Sequence, residues 1–419
     1  MNPPLQAQRG HTPTLIASFL HFDLSFMLWV LPGALGVYIA ESLDLTQAEK
    51  GLVVAVPILS GALLRLPMGL LSDRIGAKRV GVGMLAFLFL PLALGWQAGN
   101  SLHAWLGIGL LLGTAGASFA VALPLASRWY PVERQGLVMG IAAAGNSGTV
   151  IANLLAPRLA SHVGWHNVLG LAMLPLALVL VAFVVAAKDA PRTAGSREGL
   201  PVRSVLKQAD LWWFCLFYSI TFGGYVGLTS FFPLFLHDQY EVSPITAGYL
   251  TALVAFAGSA VRPLGGFLAD RYGGTRMLSV LLATIGATYG AISILPPLGT
   301  LMALAVVGIA CLGMGNGAVF QLVPRRFQSE IGITTGVVGA VGGIGGFLLP
   351  NLLANVKGIS GSYAPGFLVL TACCFGVLLA LRGLAALSSG WRMSWGTAAS
   401  GSALRPNAAA RVQMAPYML

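Results

Sequence analysis

Two stretches, Gly61–Val80 (GALLRLPMGLLSDRIGAKRV) and Gly258–Met277 (GSAVRPLGGFLADRYGGTRM), lie 197 positions apart and agree at eight of twenty residues. In the first copy these are Gly61, Arg65, Gly69, Leu71, Asp73, Arg74, Gly76 and Arg79. Each copy starts as an apolar run and ends in a short charged loop. A second echo joins Gly145-Asn-Ser-Gly148 with Asn153-Leu-Leu-Ala156 to Gly343-Ile-Gly-Gly346 with Asn351-Leu-Leu-Ala354, both reading G-x2-G-x4-N-L-L-A. The chain is therefore built twice over.

Composition gives the solvent. Of 419 residues, 56% are hydrophobic and 9% charged, against roughly 25% charged in a soluble domain. The 54 glycines suit membrane helices that pack closely. Twelve apolar runs stand out: 14–40, 51–72, 79–98, 103–127, 134–157, 166–187, 210–236, 245–269, 276–296, 299–323, 332–356 and 364–386. Each can cross a hydrocarbon core of about 30 Å. The first is too long for a signal-peptide core and has no small-residue cleavage site, so it stays as a helix. The expected organisation is an N-terminal six-helix half (1–187), a cytoplasmic linker (188–208) holding Pro191 and Pro201, and a C-terminal six-helix half (209–386). Residues 387–419, rich in Ala, Ser and Gly with scattered Arg, read as a disordered cytoplasmic tail.

A net charge of +11 and a pI near 9.9 raise the question of nucleic acid, but the basic residues fall in short loops. With both termini inside, nineteen of the 24 Lys and Arg face the cytoplasm, and only Lys50, Arg158 and Lys357 lie outside. This bias places the chain in the inner (plasma) membrane with cytoplasmic termini. It accounts for the charge with the lipid bilayer as partner and no nucleic acid. The four cysteines (Cys215, Cys311, Cys373, Cys374) sit in apolar runs without metal spacing. The six histidines lie near run ends with no nucleophile–base pair. No cofactor, metal or enzymatic chemistry is expected.

Gly69–Arg79 and Gly266–Arg276 share G-x3-D-R-x-G-x2-R. Two parallel six-helix repeats joined by such loops resemble the major facilitator superfamily. That resemblance implies an all-α membrane protein of twelve transmembrane helices in two pseudo-symmetric halves, with a site between them near the midplane. Asp73 and Asp270 are expected to hold Arg partners and neighbouring helix ends across the halves, latching the cytoplasmic side when the site faces out.

Charge inside the runs is the exception. Arg65 lies seven residues before Ser72, and Arg262 seven before Ala269, about 10 Å from the ends of their helices at 1.5 Å per residue. An Arg near a helix centre costs roughly 2.5–3.5 kcal/mol on insertion scales. Snorkelling to the surface or pairing with a carboxylate are the alternatives. Of thirteen acids, only Asp23 lies within a run away from its ends, so pairing fails on inventory. The missing counter-charge is then an anionic substrate. A planar guanidinium fork suits flat oxyanions such as nitrate, nitrite or a small carboxylate. With no further deep Lys or Arg, a large multi-anion fits poorly.

Several motifs resemble the nitrate/nitrite porter family. They are Gly145-Asn-Ser-Gly148, Gly339–Pro350, Gly313-Met-Gly-Asn-Gly317 with Phe320 and Val323-Pro324, Phe22–Met27, and Tyr218–Gly223. By that resemblance Arg65 and Arg262 are the anion-clamping pair, Phe119, Tyr218 and Phe222 wall the site, Asn146 stands beside it, and Asn316 belongs to the same constellation. Ala142, Ala143 and Ala144 stand where the family often has more glycine. Gly336, Gly339, Gly343 and Gly346 form one stripe, and the superfamily arrangement sets span eleven beside span two and span five beside span eight. Gly145, Gly148, Gly343 and Gly346 are thus candidate sliding contacts for gating, with static close packing as the alternative. A carrier for formate, oxalate or another small anion is the rival reading. A membrane sensor would need a soluble output segment, and the linker and tail are short.

The family includes symporters and exchangers. Two arginines at an assumed separation of about 8 Å repel by about 2 kcal/mol at an effective dielectric of about 20. An anion between them removes that repulsion, which favours exchange over return of an unloaded carrier. Proton symport needs a titratable group, and Asp23, two residues from His21, is the in-span candidate.

Overall fold

Long apolar segments in a hydrocarbon solvent must satisfy every backbone group internally, and helices do so. A computed structural model describes residues 10–130, 138, 144–191, 202–327 and 330–395. Arg9, Glu133, Arg134, Ala142, Ala143, Arg192, Arg197, Glu198, Pro201, Arg405 and Arg411 lie outside the described residues. Eleven described helices are long and apolar enough to cross a membrane. They are α1 Thr12–Ala34, α2 Gln47–Ile75, α3 Ala77–Ala98, α4 Leu102–Ser127, α6 Trp165–Ala186, α7 Ala209–Tyr240, α8 Pro244–Tyr272, α9 Gly274–Ile292, α10 Leu298–Arg326, α11 Ile331–Ser360 and α12 Ala364–Leu387. Helix α5, Gly148–Val163, takes the fifth place. The protein is the expected all-α, twelve-helix membrane fold.

Helix ends follow local chemistry. Thr46 and Glu49 form a reciprocal capping box that starts α2. Ser243 accepts the Thr246 N–H, with Pro244 opening α8. Gly76 and Gly273, at one position of the repeat, turn α2 into α3 and α8 into α9 with φ of +101° and +91°. Only glycine adopts such angles without cost, so this shared residue serves two identical hairpins.

Leu174, Leu178, Val181 and Val185 form an exposed apolar stripe on α6, and Leu368, Phe375 and Leu379 do the same on α12. In contrast, α7 is almost wholly buried. The halves meet where α2 packs on α11, α5 on α8, and α1 on α7. The face where α1 begins is called proximal here, and its opposite distal.

The apolar runs conceal four breaks. A 3-10 turn, Gly113–Ala117, interrupts α4, and another, Ala144–Ser147, precedes α5. A π-turn, Ser219–Gly223, interrupts α7. Helix α8 breaks at Val261, immediately before Arg262 and Pro263, because proline lacks the N–H that would continue the ladder. The breaks in α4, α7 and α8 lie away from the helix ends, where irregular backbone persists only if protein or a cavity covers it.

The expected tail begins differently. Ser389–Arg392 is helical, and Trp391 is buried against Phe214 and Phe217. Its indole N–H donates to Asp210, which also takes Arg326 at 2.6 Å. Disorder from 387 onward is therefore corrected as far as Trp395. Within the linker, Val202–Leu206 is helical.

Candidate anion site

Arg65 is 1% exposed. Its Nε donates to the Gly116 carbonyl at 3.1 Å and its Nη1 to the Gly339 carbonyl at 2.6 Å. The first acceptor belongs to the 3-10 turn of α4, the second to α11 of the other half. Its guanidinium carbon lies 4.7 Å from the Phe222 ring and 5.4 Å from both Phe119 and Trp29. These ring faces offset part of the cation's desolvation. Nη2 is buried with no partner.

Arg262 is half-buried, and its Nη1 is buried without a partner. The buried Tyr218 hydroxyl has no hydrogen-bond partner among the described residues. Tyr218 is fully buried and stacks on Phe222, with ring centroids 5.0 Å apart and planes 2° apart. The π-turn shifts register by one residue over this stretch, which is consistent with two rings four apart lying parallel. Phe320 meets Tyr218 edge-on at 4.8 Å and Phe119 at 5.8 Å. Gly342 makes room for the stack, since a Cβ there would fall 2.3 Å from Tyr218 Cδ1.

Asn146 and Asn316 are both buried; Oδ1 of the first and both polar atoms of the second lack partners. Among the described residues, four buried donors in this region, on Arg65, Arg262, Tyr218 and Asn316, have no protein acceptor. An unmet buried donor costs about 1–3 kcal/mol. Among the described residues no carboxylate pairs with either arginine.

Along α2 and α11 the halves close like a zip. A Cβ added at Gly51 would fall 2.7 Å from Ala354, and one at Gly343 would fall 2.5 Å from Ala62. At Gly346 it would meet Val226 at 2.5 Å and Ile58 at 3.1 Å. Beyond Arg65 the gap widens: a Cβ added at Gly336 would lie 3.8 Å from Leu66, and one at Gly332 would meet nothing within 4 Å. There a cavity of about 270 Å³ opens, lined by Arg65, Phe119, Asp73, Arg128 and the proximal end of α11 from Ile331 to Gly336. Arg65 closes its inner end, and Arg262 lies outside its wall.

The distal face is tied instead by charge. Lys50 of α2 donates to Asp238 of α7 at 2.9 Å, and Tyr363 donates to the same carboxylate at 3.1 Å. Burial, then the neighbouring Asp238 charge, raises the Tyr363 hydroxyl far above the ordinary range, keeping it a donor. His237 and Glu41 pair across the halves at 3.3 Å.

The loop acids depart from expectation. Asp73 takes Arg128, and Asp270 takes Arg325 at 2.7 Å. Both pairs lie within one half and both are 55 residues apart, so these two Arg partners are made within each half rather than across the halves. Asp23 and His21 also separate. Asp23 accepts Ser147 at 2.6 Å, while His21 packs on Phe183 and faces the Gly81 carbonyl. A Cβ on Gly145 or Gly148 would meet α1 first, while α5 packs on α8 as the superfamily arrangement implies. Trp29 was not foreseen, although Phe22, Phe26 and Trp29 follow helical spacing on one face.

Comparison with known proteins agrees with this architecture. Residues 17–350 match the family described as Major Facilitator Superfamily. The chain is 35% identical over 347 residues to a Bacillus subtilis protein named nitrite extrusion protein, covering 83% of this chain and 87% of that one. The chain belongs to the nitrate/nitrite porter family of the major facilitator superfamily. A Staphylococcus carnosus member, a probable nitrate transporter NarT, is 32% identical over 388 residues, 91% of this chain and 95% of that one. A Thermus thermophilus member, a probable nitrate/nitrite antiporter NarK1, is 32% identical, with 84% and 87% covered. As a member of this porter family the chain is a multi-pass transporter and not an enzyme.

Proposed function

We propose that this chain carries nitrate and nitrite across the inner membrane by alternating access, with the anion held between Arg65 and Arg262. The observation that carries the reading is a buried and a half-buried arginine, each with an unmet buried N–H donor and no carboxylate partner among the described residues. A trigonal or bent oxyanion accepts from such donors in one plane. The Tyr218–Phe222 stack excludes water and strengthens those bonds. The names of relatives support nitrate and nitrite as cargo.

The Lys and Arg bias makes the proximal face cytoplasmic. The cavity beneath Arg65 then opens inward, and the Lys50–Asp238–Tyr363 cluster with the α2–α11 zip forms the outer seal. Outward opening breaks that seal and closes the inner ends of α2 and α11 around Arg65. The Asp73–Arg128 and Asp270–Arg325 pairs hold each half rigid as it moves. Repulsion between two unliganded arginines disfavours return of an unloaded carrier, so exchange is the proposed mode.

Counterflow in proteoliposomes tests this reading. Internal nitrite should drive labelled nitrate uptake at fixed pH, with formate and oxalate competing weakly. Nitrate accumulation driven by a proton gradient alone, without internal anion, contradicts exchange. Stronger competition by a carboxylate contradicts the cargo.

A further inference from the structure

Among the described residues Asp23 is the one acid of the spans lying away from a helix end, and its neighbours are those of an anchored carboxylate. Ser147 Oγ donates to its Oδ1 at 2.6 Å, with the Gly148 backbone N–H nearby. The flanking glycines straddle its backbone. A Cβ on Gly148 would fall 2.1 Å from the Asp23 carbonyl oxygen, and one on Gly145 2.8 Å from the Asp23 nitrogen. Where the 3-10 turn gives way to α5, backbone donors lose their regular partners. A carboxylate accepts such donors strongly. His21, two residues away, faces Gly81 and Phe183 instead. In the second copy of the motif Gly345 stands in place of Ser147, so this anchor belongs to one half.

We infer that Asp23 is a positioning residue, whose carboxylate pins the Gly145–Gly148 turn to α1 and thereby sets Asn146 at the anion site. The motif then divides its labour: two glycines allow contact, Ser147 takes the anchor, and Asn146 faces the substrate. This rests on the anion-site reading of Asn146.

The test measures nitrate KM and maximal counterflow rate in proteoliposomes for Asp23→Asn, Asp23→Ala and Ser147→Ala. Each is made in the wild-type and Asn146→Ala backgrounds. Asp23→Asn keeps an acceptor and should hold KM within about threefold, while Asp23→Ala should raise KM about tenfold at little changed maximal rate. In the Asn146→Ala background the Asp23→Ala shift should vanish, because the anchor then has nothing to position. Equal shifts in both backgrounds overturn the positioning role. So does an Asp23→Asn loss as large as that of Asp23→Ala, which would assign the role to charge. An unchanged KM in Asn146→Ala alone refutes the anion-site reading, whatever Asp23 does. If Asp23→Ala does not fold, Ser147→Ala in the two backgrounds gives the same decision, with an expected shift of about threefold.

Discussion

Arg65 and Arg262 occupy one position of the repeat, yet the two halves treat them differently. Arg65 is fully buried, bonded to carbonyls in both halves and enclosed by three aromatic rings. Arg262 is half-buried, sits at a proline break and has no strong protein acceptor. The loop pairs show the opposite behaviour, since Asp73–Arg128 and Asp270–Arg325 repeat faithfully. Symmetry is thus retained where residues build the frame and lost where they build the site. A fixed cation facing an adjustable one is a sound arrangement for a carrier. In the proposed mechanism one arginine would keep its place while the other follows the anion as the halves move.

The largest expected effect comes from the fixed member. Arg65→Lys keeps the charge but cannot reach Gly116, Gly339 and an anion together, so counterflow efficiency should fall about 100-fold, or nearly 3 kcal/mol. Arg262→Lys has fewer bonds to lose and should fall about tenfold. Equal losses would remove the proposed asymmetry. Gly343→Leu obstructs the α2–α11 contact against Ala62. It should slow exchange about tenfold while nitrate affinity changes less than about threefold. Equal loss of binding would favour static packing. The smallest effect is expected at the distal seal. Asp238→Asn weakens the tie to Lys50 and should shift inward-facing occupancy by about threefold, read by cysteine accessibility near Gly336.

Much of this was legible beforehand because hydropathy, repeat spacing and buried charge are strong signals. Arg65 and Arg262 stood out as charges in apolar runs, and Phe119 and Phe222 do lie against Arg65, with Tyr218 stacked on Phe222. The breaks did not stand out. Gly113-Thr-Ala-Gly-Ala117 and Ser219–Gly223 are as apolar as their flanks, so the turns that expose Gly116 and align the rings leave no hydropathy trace. The loop motif gives the acid but not its partner, which lies 55 residues on. Trp391 was hidden among Ser and Gly, although a lone tryptophan in a polar segment is a signal for docking.

The central claim, one anion shared by both arginines, is tested most directly by nitrate affinity in detergent. Calorimetry on purified wild type, Arg65→Lys, Arg262→Lys and the double variant measures it. The account predicts that each single variant weakens binding by about tenfold or more, and that the double is scarcely weaker than the worse single, because both side chains serve one ligand. Wild-type affinity in either folded single variant, or fully additive losses, would contradict it.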